Sequence, residues 1–496
     1  MADHPKRLSE QMLAELPASV ATPNYRRSDT RIGIVHIGAG AFHRAHQAVY
    51  VDELLASHPD WAICGVSLHS IDVRDALRPQ QGLYSLLLLG QETRLRVIGS
   101  IRELLSARDE SAAILARLAD PNVRLVTLTV TEKGYCLAGR DLDIAHPDIV
   151  HDLATPDEPR SAIGYIVAGL RERRKRGFSP YTVLSCDNLA ENGHRLRRAV
   201  LQYARRIDAA LADWIETQVS FPCSMVDSIT PATDDALRER ISGELGCMDA
   251  WPIQRETYAQ WVIEDRFCNE RPPFELAGAT MSHDIAGYDR AKLRLLNGAH
   301  STLAYLGSLM NLETVADAMN QPLLAGFVKR LMRESIAPAI ALPEGLDGAA
   351  YIDAILARFR NPAIRHRLAQ IAWDGSQKLP VRLLSTIADA LAAGKSIDAL
   401  CLSVAAWMQF VRRQARHGVA LVDPLNDALT AVGQACNGNA AHDLDAFLQL
   451  ETIFPAPLSQ DARFIHALRA AYAALADGSP ASVSQTLATV TNGNKQ

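Results

Sequence analysis

Apolar positions along the chain follow two different rhythms, and the change comes near residue 287. Before it, short apolar runs rich in β-branched residues alternate with longer stretches of amphipathic, helical spacing. RIGIVHI (31–37) ends at a glycine-rich turn and leads into a helical pattern over about 45–55. WAICGVSL (61–68), VRLVTLTV (123–130), YTVLSC (181–186) and VSFPCSMV (219–226) read as further strands, with helices over 109–119, 162–176 and 192–216 among them. Such alternation predicts an α/β fold, a parallel sheet covered by helices on both faces. LYSLLLLGQETRLRVIGS (83–100) interrupts the rhythm and predicts an antiparallel hairpin, as an insertion or an edge. Beyond 287, Leu/Ala helical spacing dominates and strand runs nearly vanish. The expected division is therefore an α/β domain over 1–287 and a mainly α-helical domain over 288–496. The tails, 1–28 and about 478–496, carry little pattern and are expected to be loose.

Composition narrows the class of protein. The chain has 496 residues, of which 48% are hydrophobic, and 51 basic against 56 acidic side chains. That balance offers no general attraction to nucleic acid or an anionic membrane. The one basic cluster, over 171–176, reads as the solvated end of a helix. No stretch approaches the ~20 consecutive apolar residues that span a bilayer. The polar start MADHPKRLSEQ lacks an apolar signal core, so a cytoplasmic location is expected. Eight cysteines are scattered without a C-x-x-C pair, which argues against a disulfide framework or a structural zinc site.

Two segments carry candidate chemistry. Gly38-Ala39-Gly40-Ala41-Phe42-His43 fits G-x-G-x-x-G with histidine in place of the third glycine. Lying between a strand and a helix, it suits a dinucleotide pyrophosphate, with Gly38, Gly40, Ala41 and Phe42 as its cradle; the plainer alternative is an ordinary turn. Asp72, beyond the second strand, is placed to hydrogen-bond ribose hydroxyls and repel a 2′-phosphate, which favours NAD, while Arg74 and Arg78 leave NADP open. The second segment, 288–300, reads as a helix. At about 100° per residue, Asp289, Lys292, Asn297 and His300 share an arc of about 140°. A base, an amide and an imidazole on one face suit proton transfer to or from an alcohol without metal. The plain alternative is a wet helix surface with a structural histidine.

GAGAFHRAH (38–46), TVTEKGY (129–135), SCDN (185–188), FPCSMVD (221–227), QWVIED (260–265) and KLRLLNGAH (292–300) occur in this order. Together they resemble the polyol-specific long-chain dehydrogenases, the mannitol dehydrogenase family, over about 30–470. The resemblance implies a Rossmann-type N-terminal domain, a mainly α-helical C-terminal domain with the active site between them, NAD as cofactor, a small sugar acid or polyol as substrate, and a monomer. It makes Lys292 the general acid/base, Asn188 and Asn297 the pair that steadies the alkoxide, His300 a binder of a substrate hydroxyl, and Asp227 part of the proton-relay or substrate shell. Asp289 stands where relatives often carry glutamate. Trp373-Asp-Gly-Ser-Gln-Lys378 and Lys133 look more like fructuronate reductases than mannitol 2-dehydrogenases, and Gln370 departs from the arginine usual in the latter. A keto-uronate such as D-fructuronate, reduced to D-mannonate, is thus the expected substrate. Lys133, Arg365, Lys378 and Arg382 are the candidate clamp for its carboxylate. QRETY (254–258) departs from the family pattern, so the mannitol branch stays open.

Three other readings compete. Tyr288-x-x-x-Lys292 matches the short-chain dehydrogenase pair, but chain length and the glycine turn do not suit that family. A nucleotide-binding regulator without catalysis would share the fold, although the retained Lys292, Asn188, Asn297 and His300 argue against it. His43-x-x-His46 invites a metal, yet beside a phosphate-binding turn the pair more plausibly shapes the loop, and no metal is expected.

Overall fold

In the computed structural model, which describes residues 6–492, β1 (Ile32–Ile37) lies at the middle of a five-stranded sheet. The order is Ile101–Ser106, β2 (Ala62–Ser67), β1, Leu125–Leu128, Thr182–Ser185, and every neighbouring pair is parallel. Helices cover both faces, which is why the strands read as nearly unbroken apolar runs. Side chains alternate between two cores with period two. Val35 and Ile37 join the helices Ala162–Arg176 and Asn192–Ile207 on one face, and Ile34 joins α1 (Ala41–Ala45) and α2 (Gln47–Leu54) on the other. The chain winds outward from β1 in both directions, so the switch point at which open α/β sheets bind ligands falls at the carboxyl ends of β1 and Leu125–Leu128.

The hairpin forms from Tyr84–Leu89 and Arg94–Ile98, antiparallel, and Ile253–Glu256 adds in parallel to make a separate three-stranded sheet. The expectation for 219–226 fails. Ser220 still accepts a hydrogen bond from the Val183 amide at the edge of the main sheet. Pro222 then offers no amide to a ladder, and the strand begins only at Ser224–Asp227, antiparallel to Gln260–Glu264 in a third sheet. The long helix expected over 192–216 is two helices, Asn192–Ile207 and Ala209–Gln218, because Asp208 turns out of the first and caps the second through the Leu211 amide.

Nor are the described parts of the tails loose. Leu8 is fully buried and its amide donates to Met248. Arg27 is buried and holds the Gly99 and Ile101 carbonyls. At the other end Pro480–Asn492 is a helix with Val483 and Leu487 in the core. Residues 1–5 and 493–496 of those expectations lie outside the described residues.

The chain divides into two units, Met1–Ala286 and Gly287–Gln496. The second is helical, built around Asp398–Arg416, which packs on Gly298–Leu309, Asn426–Ala435 and Ala462–Ala474. Among the described residues it holds only an isolated bridge, Thr314 to Arg367, and no strand. Three of its helices contain a π turn: Lys292–Asn297, Leu331–Ile336 and Pro380–Leu384. No helix among the described residues is long and apolar enough to cross a membrane.

Candidate active site

The turn after β1 is built around a backbone that only glycine accepts. Gly38 has φ +98°, and a Cβ there would lie 2.1 Å from the Thr129 carbonyl oxygen. The turn is braced from within the unit. Thr129 Oγ1 donates to the Gly38 carbonyl at 2.8 Å, so toward His36 Nε2, also 2.8 Å away, it can only accept. His36 therefore carries its proton on Nε2, and Nδ1 accepts from Thr127 Oγ1 at 2.7 Å. Burial pushes the His36 pKa down to about 3, so the ring stays neutral. Gly40 caps α1, and a Cβ there would meet nothing nearer than Gly38 O at 3.8 Å, leaving room for a ligand above the turn. Ala41 and Phe42 open α1, and His43 takes the third glycine's place by lying flat on His36, ring centroids 3.4 Å apart.

Asp72 is exposed at the first position of α3 (Asp72–Leu77). Both arginines that left NADP open are committed elsewhere. Arg74 pairs with Asp75, Asp109 and Glu110, and Arg78 with Glu110 and the Leu104 carbonyl. His46, the second half of the metal reading, has Nε2 3.0 Å from the Gln260 carbonyl and Nδ1 3.0 Å from Gln47 Nε2.

Asn188 follows the carboxyl end of Thr182–Ser185, and Asp227 ends the strand Ser224–Asp227, buried. Asp187, not among the candidate residues, fixes the Asn188 segment. Tyr135 donates to Asp187 Oδ2 at 2.5 Å, meets Ser185 Oγ at 2.5 Å, and the Val130 amide donates to the same carboxylate. Burial raises the Asp187 pKa to about 7. This network joins two of the family motifs, TVTEKGY and SCDN, which was the available clue. Lys133 sits exposed on the turn Glu132–Tyr135.

In the helical unit, Asp289, Lys292, Asn297 and His300 lie on one continuous helix over 285–309, but it is not a regular one. Lys292–Asn297 is a π turn, with the Gly298 amide bonding back five residues to Leu293. In an α-helix, residues five apart diverge by about 140°; a π turn closes over five and sets Asn297 one turn above Lys292. The arc of about 140° read at α-helical pitch is therefore corrected to a narrower face. Lys292 and His300 are 9% and 8% exposed. Burial raises the Asp289 pKa to about 6, with Lys292 pulling it back down, and burial keeps His300 neutral.

Lys378 and Arg382 come from Gly375–Leu379 and the π turn after it. Arg382 donates to Ser301 Oγ at 3.1 Å and to the Asn297 carbonyl at 3.5 Å, which places it against the helix of Lys292 and His300. Lys378 reaches the Ile371 carbonyl at 3.4 Å, and burial followed by the charge of Arg382 lowers its pKa. Arg365, by contrast, is 77% exposed and 3.7 Å from Glu313. Its neighbour His366, unnoticed in the sequence, turns its ring edge-on to His300 at 5.1 Å.

Comparison with known proteins identifies the family. The Mannitol dehydrogenase Rossmann domain family matches residues 32–276, and the Mannitol dehydrogenase C-terminal domain family matches 284–476. D-mannonate oxidoreductase of Escherichia coli (strain K12) is 44% identical over 468 residues, 92% of this chain and 96% of that protein. Mannitol 2-dehydrogenase of Phaeosphaeria nodorum is 37% identical over 97% of this chain and 85% of its own length. The solved Pseudomonas fluorescens mannitol 2-dehydrogenase, a ternary complex with NAD and D-mannitol, superposes with a TM-score of 0.78 at 38% identity, covering 98% of this chain and 99% of that one. Two consecutive domain matches and full-length relatives far above 30% identity make this chain a member of the mannitol dehydrogenase family of oxidoreductases.

Proposed function

We propose that the chain is an NAD-dependent reductase of a keto-uronate, converting D-fructuronate to D-mannonate. One observation carries the acid over the neutral sugar: Arg382 beside His300 and Lys378 beside His366 have no carboxylate hydrogen-bonded to them among the described residues. Arg382 is in no ion pair among the described residues, and Lys378 meets only the Asp374 carboxylate, at 4.0 Å. Half-buried cations left unneutralised favour an anionic ligand. The relative named D-mannonate oxidoreductase points the same way.

The residues at the glycine turn fit NAD. Gly38 and Gly40 leave the backbone open to a pyrophosphate, Asp72 is free of ion pairs among the described residues for the ribose, and Arg74 and Arg78 are spent on carboxylates rather than a 2′-phosphate. When bound, the reduced cofactor supplies the hydride. Lys292 delivers a proton to the ketone oxygen as it becomes an alkoxide, and takes it back in the oxidative direction. Asn188 and Asn297 donate amide hydrogen bonds to the same oxygen, Asp227 serves the proton-relay or substrate shell, and neutral His300 binds a neighbouring hydroxyl. The family resemblance assigns these roles, and the π turn that aligns Lys292 with Asn297 supports them.

The test is NADH oxidation by the purified protein with D-fructuronate, D-tagaturonate and D-fructose side by side. A kcat/KM at least about tenfold higher for fructuronate than for fructose is expected, the gain of a charged hydrogen bond. Preference for fructose would move the enzyme to the mannitol branch.

A further inference from the structure

The imidazole of His366 is held against the ring of His300 with its Nδ1 in no hydrogen bond among the described residues. Its backbone is pinned on both sides: the Val315 amide donates to the His366 carbonyl at 3.0 Å, and the Leu368 amide to Glu313 at 3.0 Å. The ring stands at 80° to that of His300, which itself packs on Phe359 at 4.4 Å. Nδ1 of His366 is buried and has no hydrogen-bond partner. The Tyr305 hydroxyl, whose neighbours include the Arg382 charge, is buried and unpartnered as well. A buried polar atom left without a partner is costly, which makes both atoms candidates to face a bound molecule.

The side-chain charges that act on the two rings are positive. Lys378 acts on His366, while Arg358 and Arg382 act on His300. Of the nearby acids, Asp423 is occupied by the Ser376 hydroxyl and amide and by the Leu425 amide, and Asp374 stays 4.0 Å from Lys378. Two cations and an idle imidazole edge match a carboxylate, which can accept several hydrogen bonds at once. Burial, and then the charge of Lys378, lower the His366 pKa, so the ring can act as a neutral donor. A third permanent cation here would raise the repulsion further whenever the site is empty.

We propose that His366, with Lys378 and Arg382, reads the carboxylate of the substrate and is the residue that sets acid over neutral sugar. This rests on the keto-uronate reading above. It replaces exposed Arg365 in the expected clamp by the histidine beside it.

The experiment compares kcat/KM for D-fructuronate and D-fructose in the wild type, His366→Leu and His366→Asn, with NADH binding and thermal melting measured for each. His366→Leu should lose about 10- to 100-fold on fructuronate, chiefly in KM, and less than about threefold on fructose. Asparagine, whose amide nitrogen can take the place of Nδ1, should recover most of the loss. If the leucine variant does not fold, His366→Asn should still exceed His366→Gln on fructuronate, since glutamine mimics Nε2 instead. Equal losses on both sugars, or an unchanged ratio in the leucine variant, would overturn the proposal alone. A wild type that prefers fructose removes the reading beneath it and the proposal with it.

Discussion

Each unit holds a pair of touching histidines, and the two pairs differ in stacking and in surroundings. His36 and His43 lie flat on one another, 10° from parallel, and His36 is satisfied by two threonine hydroxyls and the Gly38 carbonyl. His300 and His366 meet edge-on, amid Arg358, Lys378 and Arg382, and one nitrogen has no partner. Burial keeps all four rings neutral. In the first pair His36 spends its hydrogen bonds on holding a turn while both buried nitrogens of His43, stacked on it, have no partner among the described residues, and in the second His366 keeps one in reserve amid positive charge. Neutral histidine is therefore a brace in one unit and a candidate ligand contact in the other, and what surrounds it makes the difference.

The largest effect expected from separating these duties is at Lys292. Lys292→Ala should lower turnover by about 10²- to 10⁴-fold, the usual worth of a positioned acid/base. NADH affinity should change little, because the glycine turn proposed to hold the cofactor belongs to the other unit. Stopped-flow turnover beside fluorescence titration of NADH measures both. A variant that loses NADH affinity as severely as turnover would break the division of labour.

His36→Leu tests the brace. Removing it strands the Thr127 hydroxyl and weakens the hold on the Gly38 carbonyl, at a cost of about 1–3 kcal/mol near neutral pH. The pH dependence is more telling. The folded pKa of about 3 lies well below the unfolded value of about 6.5, so the unfolded chain takes up the proton first. Stability contributed by the neutral ring is complete above pH ~6.5 and erodes by about 1.4 kcal/mol per unit as the pH falls toward 3. Denaturant titrations from pH 7 to 4 should show a shallower acid decline in the variant. Parallel decline in the two proteins would mean that His36 is not held neutral by the fold.

How much of this was legible beforehand depends on the range of the forces involved. Strands of the main sheet follow from local apolar runs, and their alternation between two cores follows from period two. The N-terminal segment was misread because its anchors are distant, Arg27 reaching Gly99 and Ile101 and Leu8 reaching Met248. The run at 219–226 has strand composition throughout, but Pro222 decides which part can join a ladder. The π turn adds one residue to a helix whose apolar pattern gives no sign of it. Lys292, Asn297 and His300 were visible through the family motif, whereas His366 is a lone histidine between two arginines. Nothing local separates it from a surface residue; only the fold, by turning Arg365 and Arg367 outward, with side chains 77% and 64% exposed, distinguishes it.

The smallest expected effect concerns Asp289 and sharpens the contrast between charged and neutral neighbours of the helix face proposed to be catalytic. Its carboxyl is half-buried, with a pKa raised to about 6 by burial and pulled back by Lys292 three residues on. Residues three apart are neighbours on a helix, so above pH ~6 the ionised carboxylate favours the ammonium form of Lys292. In the proposed mechanism, reduction needs that form to deliver a proton. Asp289→Asn should therefore move the alkaline limb of kcat/KM for ketone reduction down by roughly half a pH unit, a two- to threefold loss at fixed pH on that limb. Any inflection near pH 6 should vanish with the carboxylate. Glutamate, which keeps the charge, should restore both features; an identical profile in all three proteins would show that Asp289 ionises without reaching the reacting proton, leaving the π turn alone to orient Lys292.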